Sequence, residues 1–194
     1  MGVPQGLASL RDPLHNTAAL MTASAASVLV VHGPNLDLLG DREPEVYGRQ
    51  TLADLDASLV ALGERLGLRV RCRQANGEGA IIDLLHEARR DCDGVVINPA
   101  GYTHTSVAIT DALRALTVPA VEVHLSNLYT REPLRHRSLT GAACRGVIMG
   151  LGPSSYHLAL RHLAELLSGR ASERPSDQPT LGPSTLSSSL PELP

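Results

Sequence analysis

At 194 residues the chain fits one folded domain with extra segments, long enough to bury a single hydrophobic core. A net charge of −3 with no long basic run removes the footprint of a nucleic-acid binder, and all 17 basic residues are arginine, so no side-chain amine is present for Schiff-base chemistry. Cys72, Cys92 and Cys144 are scattered without a C-x-x-C pair, which argues against a disulfide framework or a structural zinc site and fits a reducing, cytoplasmic setting; no apolar run approaches the ~20 residues of a membrane helix.

Residues 1–26 carry Gly, Pro, Ala and Ser without sustained periodicity and read as a flexible extension, with Met21 a second candidate start. The uncharged stretch Asn16 to Val31 imitates a signal-peptide core, but no Lys/Arg-rich start precedes it and its second half reads as a strand. Residues 27–168 form the folded catalytic domain, and 169–194 a Pro/Ser-rich tail expected to be disordered.

Within the domain, strands and helices alternate. Ser27-Val-Leu-Val-Val is the first strand. Thr51 and Asp54 make a capping box, after which Leu52, Leu55, Leu59, Leu62 and Leu66 recur at helical spacing until Gly67. Leu68 to Arg73 is a second strand and Gly79 to Asp91 a helix burying Ile81, Leu85 and Ala88. A strand ending at Asn98, a helix near Thr105 to Leu116, a strand ending at His124 and a strand from Gly146 to Met149 follow. A helix from Ser154 to Leu167, with Leu158, Leu160, Leu163 and Leu167 inward, closes the domain. Five βα units joined by right-handed crossovers predict a single α/β domain: a flavodoxin-like three-layer sandwich on a five-stranded parallel sheet.

The polar residues fall where the apolar runs end: His32-Gly-Pro-Asn35, Asn98 to His104, His124-Leu-Ser-Asn127 and Gly150-Leu-Gly152. Ligand crevices of open parallel sheets lie outside the carboxyl ends of the strands, so these segments are expected to converge. None completes a phosphate-loop or dinucleotide fingerprint. Asn35 reads either as a turn residue after Pro34 or as a site residue. The segment Asp41 to Arg49 reads as a loop able to close over a ligand. Within it, Arg42 and Tyr47 are either solvated surface groups or a phenolate base beside a cation: lowering a tyrosine from ~10 to ~8 takes ~2.7 kcal/mol, within reach of close arginines. Glu122 and His124, two apart on a strand, share one face. They are either a metal pair lacking a third ligand or, the better reading, a carboxylate orienting an acid–base imidazole. The loop with Arg131, Arg135, His136 and Arg137 offers donors for a carboxylate and hydroxyls, or is simply a solvated basic loop. A binding protein on the same fold is the competing class, because fold alone licenses no chemistry.

The segments GPNLDLLG, REPEVYG, RQANGEG, INPAGYTHTS, EVHLSN and R-x-x-x-R-H-x-S occur in this order between about Ser27 and Ser168. Together they resemble the type II 3-dehydroquinate dehydratases. The resemblance implies a hydro-lyase of the shikimate or quinate pathway that converts 3-dehydroquinate to 3-dehydroshikimate and water through an enolate. It also implies no metal or cofactor, and trimers assembled into a dodecamer. Carried over by position, Tyr47 is the base, Arg42 lowers its pKa, Asn35 holds the water that stabilises the enolate, and His124 is the general acid supported by Glu122. Asn98, His104 and Arg135 bind ring hydroxyls, the Leu125 and Ser126 N–H groups bind the carboxylate, and Asp111 reaches a neighbouring subunit's site. His32 and Asp37 each stand where asparagine is common, Ala100-Gly101 inverts a common Gly-Ala, and Leu134 replaces a common Phe. Asp37 adds negative charge near the expected anion site.

Overall fold

The computed structural model describes residues 25–40 and 50–172. The five strands are β1 (Ala26–His32), β2 (Leu68–Gln74), β3 (Gly94–Asn98), β4 (Ala120–His124) and β5 (Gly146–Met149). All adjacent pairs are parallel and the spatial order is β2-β1-β3-β4-β5, the doubly wound arrangement expected. Its topological switch lies between β1 and β3, where consecutive connections leave to opposite faces. In β1 and β3 the near-continuous apolar run reflects burial on both faces of a parallel sheet.

Helices α1 (Leu52–Arg65) and α4 (Ser154–Ser172) cover one face, and α2 (Glu78–Asp91) and α3 (Val107–Arg114) the other. Leu55, Leu59, Leu160 and Leu163 meet Val28, Val30 and Val96 on the first face. Ile81, Leu85 and Ile109 meet Leu29, Val31, Val95 and Ile97 on the second. Truncating one such fully buried leucine to alanine costs about 2–5 kcal/mol. The Thr51 capping box is present in full: the Thr51 hydroxyl accepts from Asp54 N–H, and the Asp54 carboxylate accepts from Thr51 N–H at 3.0 Å. Among the described residues no helix is long and apolar enough to cross a membrane.

Three expectations change. The helix expected near Thr105 to Leu116 is present as the shorter α3, preceded by a 3₁₀ segment, Ala100–His104, because the Ser106 hydroxyl caps the N–H of Ile109 at 2.8 Å and starts the helix there. The closing helix continues to Ser172, past the boundary drawn at residue 169. Its inward stripe runs through Tyr156, Ala159, Leu160 and Leu163, whereas Leu158 is exposed: helical spacing from Leu160 and Leu163 selects Tyr156 and leaves Leu158 off the stripe. The remaining positions of 1–26 and 169–194 lie outside the described residues.

Candidate active site

A crevice of about 250 Å³ opens at the carboxyl ends of β1, β3 and β4. Asn35, Asn98, His104, His124, Leu125, Ser126 and Arg135 all line it, so seven residues singled out in the sequence converge there. Arg42 and Tyr47 lie outside the described residues.

The β1 exit places Asn35. Gly33 N–H donates to the Asn98 carbonyl at 2.8 Å, and a Cβ on Gly33 would meet that oxygen at 2.7 Å, so only glycine permits this approach of β1 to β3. Asn35 then takes a left-handed backbone conformation, φ 65°, which asparagine tolerates better than most residues. It is thus both a turn residue and a crevice residue. Its N–H donates to Asn76 Oδ1 at 2.9 Å, and the same oxygen accepts from Gln74 Nε2 at 2.9 Å. Asn76 Nδ2 donates to Asp37 at 3.4 Å, so Asp37 is held by this brace and does not line the crevice. Asn76 lies within the RQANGEG segment, but nothing local to that segment marks the turn it holds.

From β3, Asn98 is almost fully buried, and its Oδ1 accepts from Ala100 N–H at 3.1 Å. Ala100 itself has φ 53°, a left-handed value normally left to glycine. The Ala-Gly order noted in the sequence therefore puts a side chain on a backbone conformation that disfavours one. His104 follows on the 3₁₀ segment, and its Nδ1 contacts the Arg137 carbonyl at 2.7 Å. A carbonyl only accepts, so Nδ1 carries the proton and Nε2 is left for a bound molecule.

β4 supplies the acid–base pair. His124 Nε2 lies 2.9 Å from Glu122 Oε1, with Glu122 fully buried. Ser138 Oγ also donates to Glu122 Oε1 at 2.8 Å, and Thr140 Oγ1 donates to Oε2. Three donors compensate a buried carboxylate that would otherwise be costly to desolvate. The carboxylate fixes Nε2 as a donor and leaves Nδ1 as the second working nitrogen of the ring. Ser138 belonged to a recognised segment without an assigned task, and Thr140 was missed altogether.

Beyond His124, Gly150 N–H donates to the His124 carbonyl at 3.3 Å and Gly152 N–H to the Leu125 carbonyl at 2.9 Å, pinning the Leu125-Ser126 turn at the crevice mouth. Gly150 has φ 84°, and a Cβ there would stand 2.9 Å from Asn127 Cβ. Arg135 Nε donates to Glu132 Oε1 at 2.6 Å, which pushes the Glu132 carboxyl down to about 2 and leaves the terminal guanidinium nitrogens for an anion. Arg131 lines the same crevice. Asp111 does not: it is exposed on α3, with its carboxylate 3.2 Å from Arg114. Leu134 is 74% exposed and forms no part of the lining.

The family described as dehydroquinase class II matches residues 26–164. The 3-dehydroquinate dehydratase of Rhizobium johnstonii is 50% identical over 140 residues, spanning 72% of this chain and 97% of that protein. The catabolic 3-dehydroquinase of Aspergillus clavatus is 50% identical over 146 residues, spanning 75% of this chain and 97% of that protein. Among solved structures, the type II dehydroquinase from Propionibacterium acnes superposes with a TM-score of 0.70 at 46% identity, covering 72% of this chain and 97% of that one.

Proposed function

The chain belongs to the class II dehydroquinase family, and from that membership we infer that it dehydrates 3-dehydroquinate to 3-dehydroshikimate and water, in the shikimate or the quinate pathway. The observation that carries the reading is the Glu122–His124 pair set in a crevice with Asn35, Asn98, His104 and Arg135.

In this reading the reaction is an anti elimination in two steps. Tyr47, as a phenolate favoured by Arg42, removes the C2 proton, and the electron pair moves onto the C3 oxygen to give an enolate. Asn35, through a bound water, stabilises that oxygen. The enolate then collapses to form the C1–C2 double bond as the C1 hydroxyl leaves, protonated by His124. Water is released, and proton transfer from Tyr47 to His124 through solvent restores both groups. Each acid–base assist is worth about 10²–10⁴-fold in rate, and stabilising the enolate can contribute more.

Binding follows from the donors present. Asn98, His104 and Arg135 hold the ring hydroxyls, while the Leu125 and Ser126 N–H groups receive the carboxylate. Asp111 serves a neighbouring subunit's crevice in a dodecamer built of trimers, a reading supported by its exposure and its absence from the lining of its own chain's crevice. The enzyme works in the cytoplasm with neither metal nor cofactor.

The test is the ultraviolet absorbance of the conjugated enone of 3-dehydroshikimate. Its growth on adding 3-dehydroquinate is expected; absence of product with well-folded protein overturns the assignment.

A further inference from the structure

His32 and Asn98 are direct cross-strand partners at the carboxyl ends of β1 and β3, on the sheet face covered by α1 and α4. His32 is fully buried and both its ring nitrogens are engaged: Nε2 lies 2.9 Å from Asp56 Oδ1 on α1, and Nδ1 lies 3.1 Å from the hydroxyl of Tyr156 on α4. Tyr156 is also fully buried. Burial pushes its hydroxyl pKa up, while the Asn98 side chain works against that shift. Asp56, its side chain 33% exposed, brings this series of contacts to the protein surface.

Proton directions follow from the end of the chain. The carboxylate accepts from Nε2–H, and the fully buried Tyr156 hydroxyl finds its acceptor in Nδ1. The Tyr156 O–H then donates to Nδ1, which leaves its oxygen an acceptor for the amide of Asn98, the cross-strand partner of His32. That requires the Asn98 amide nitrogen to face Tyr156, which agrees with its Oδ1 accepting from Ala100 N–H at 3.1 Å. One amide hydrogen remains.

We propose that His32 is a positioning residue for substrate recognition: anchored on Asp56 and bonded through Tyr156, it fixes the Asn98 amide so that its remaining N–H is presented to an acceptor oxygen of the bound ring. The proposal rests on the dehydratase reading for the identity of that ring. It makes the residue that stands in place of a common asparagine part of a relay from the protein surface to the crevice. His32 and Asp56 also lie beside Cys72, and the three bring potential ligand atoms within 4.8 Å of one another. Burial and then the Asp56 charge push the Cys72 thiol pKa up, which works against the thiolate a zinc ion needs and favours the hydrogen-bonded relay.

Two measurements on the full chain test it. In steady-state kinetics, Asp56→Asn and Tyr156→Phe are expected to raise KM about three- to tenfold, the usual range for one mispositioned hydrogen bond, with kcat within about twofold. In an Asn98→Ala background Asp56→Asn is expected to add no further KM effect, whereas its effect on melting temperature persists. Equal KM effects in both backgrounds would mean that Asp56 merely supports the fold, and overturn the proposal. The second measurement does not depend on turnover: imidazole ¹⁵N shifts of selectively labelled histidine, with His32 assigned by His32→Asn. A bare Nδ1 and a protonated Nε2 are expected, unchanged by added Zn²⁺. A protonated Nδ1, or a Zn²⁺-dependent shift abolished by Cys72→Ser, would overturn the relay. If the wild-type protein fails to turn over 3-dehydroquinate while its ¹⁵N pattern is as expected, the dehydratase reading falls and the His32 relay stands.

Discussion

Glu122 Oε1 holds His124 Nε2 at 2.9 Å, and the two residues, alternate positions on β4, emerge on the same face with the carboxylate beneath and the imidazole at the crevice. The carboxylate therefore fixes both the tautomer and the direction of the ring. In Glu122→Gln an amide stands where three donors converge, so at least one loses its acceptor and the ring loses its anchor. We expect kcat to fall about 10²–10⁴-fold, the range for a general acid–base contribution, with a smaller change in KM. In His124→Ala, exchange of the C2 proton with solvent is expected to outlast turnover, because in the proposed mechanism enolate formation precedes departure of water. Deuterium uptake measured beside product formation decides this, and undiminished turnover removes His124 as the acid.

Tyr47→Phe is expected to abolish turnover and preserve binding of a substrate analogue, since the proposed base is lost while Asn98, His104 and Arg135 remain. Loss of an interaction made in the transition state lowers kcat with little effect on binding. Calorimetric titration alongside kinetics checks both halves; near-normal kcat would assign the base elsewhere.

Without lysine the chain has no side-chain amine to form an imine with the C3 ketone. Borohydride added with substrate is expected to leave both protein mass and activity unchanged. A substrate-dependent mass increase with inactivation would replace the enolate with a covalent intermediate.

Ala100 has φ 53° between Pro99 and Gly101. A left-handed conformation costs a non-glycine residue about 1–2 kcal/mol, and glycine returns about 0.4–1 kcal/mol of that through unfolded-state entropy. Ala100→Gly is therefore expected to stabilise the protein by about 0.5–1 kcal/mol, read from denaturant midpoints. Destabilisation would show that the methyl group contributes packing that outweighs the backbone cost.

Much of this site was legible because strands, caps and turns are local. Gly33 and Asn35 follow an apolar run, Thr51 and Asp54 stand at capping distance, and polar residues recur at strand ends. What remained hidden was pairing between distant segments. Thr140 beneath Glu122, Asn76 beneath Asn35 and Tyr156 beside His32 act through contacts that leave no trace in periodicity. Tyr156 was also masked by the leucines around it. Leu158 suggested one inward stripe, whereas packing against β1 and β3 selected the stripe that carries the hydroxyl to His32. Asp111, assigned by resemblance alone, stays apart from the crevice, exposed on α3 beside Arg114.

The strand order β2-β1-β3-β4-β5 also bears on how the enzyme comes into being. Every ladder is parallel, so each strand reaches its neighbour only after a long crossover, and nucleation must meet the closure entropy of several large loops before contacts reward it. Asn35 and Arg135, about a hundred positions apart, line one crevice only after β1, β3 and β4 have aligned. Partly assembled chains are consequently inert. During refolding from denaturant, catalysis should return with the slowest structural phase, while helical signal recovers earlier, making turnover a reporter of completed topology.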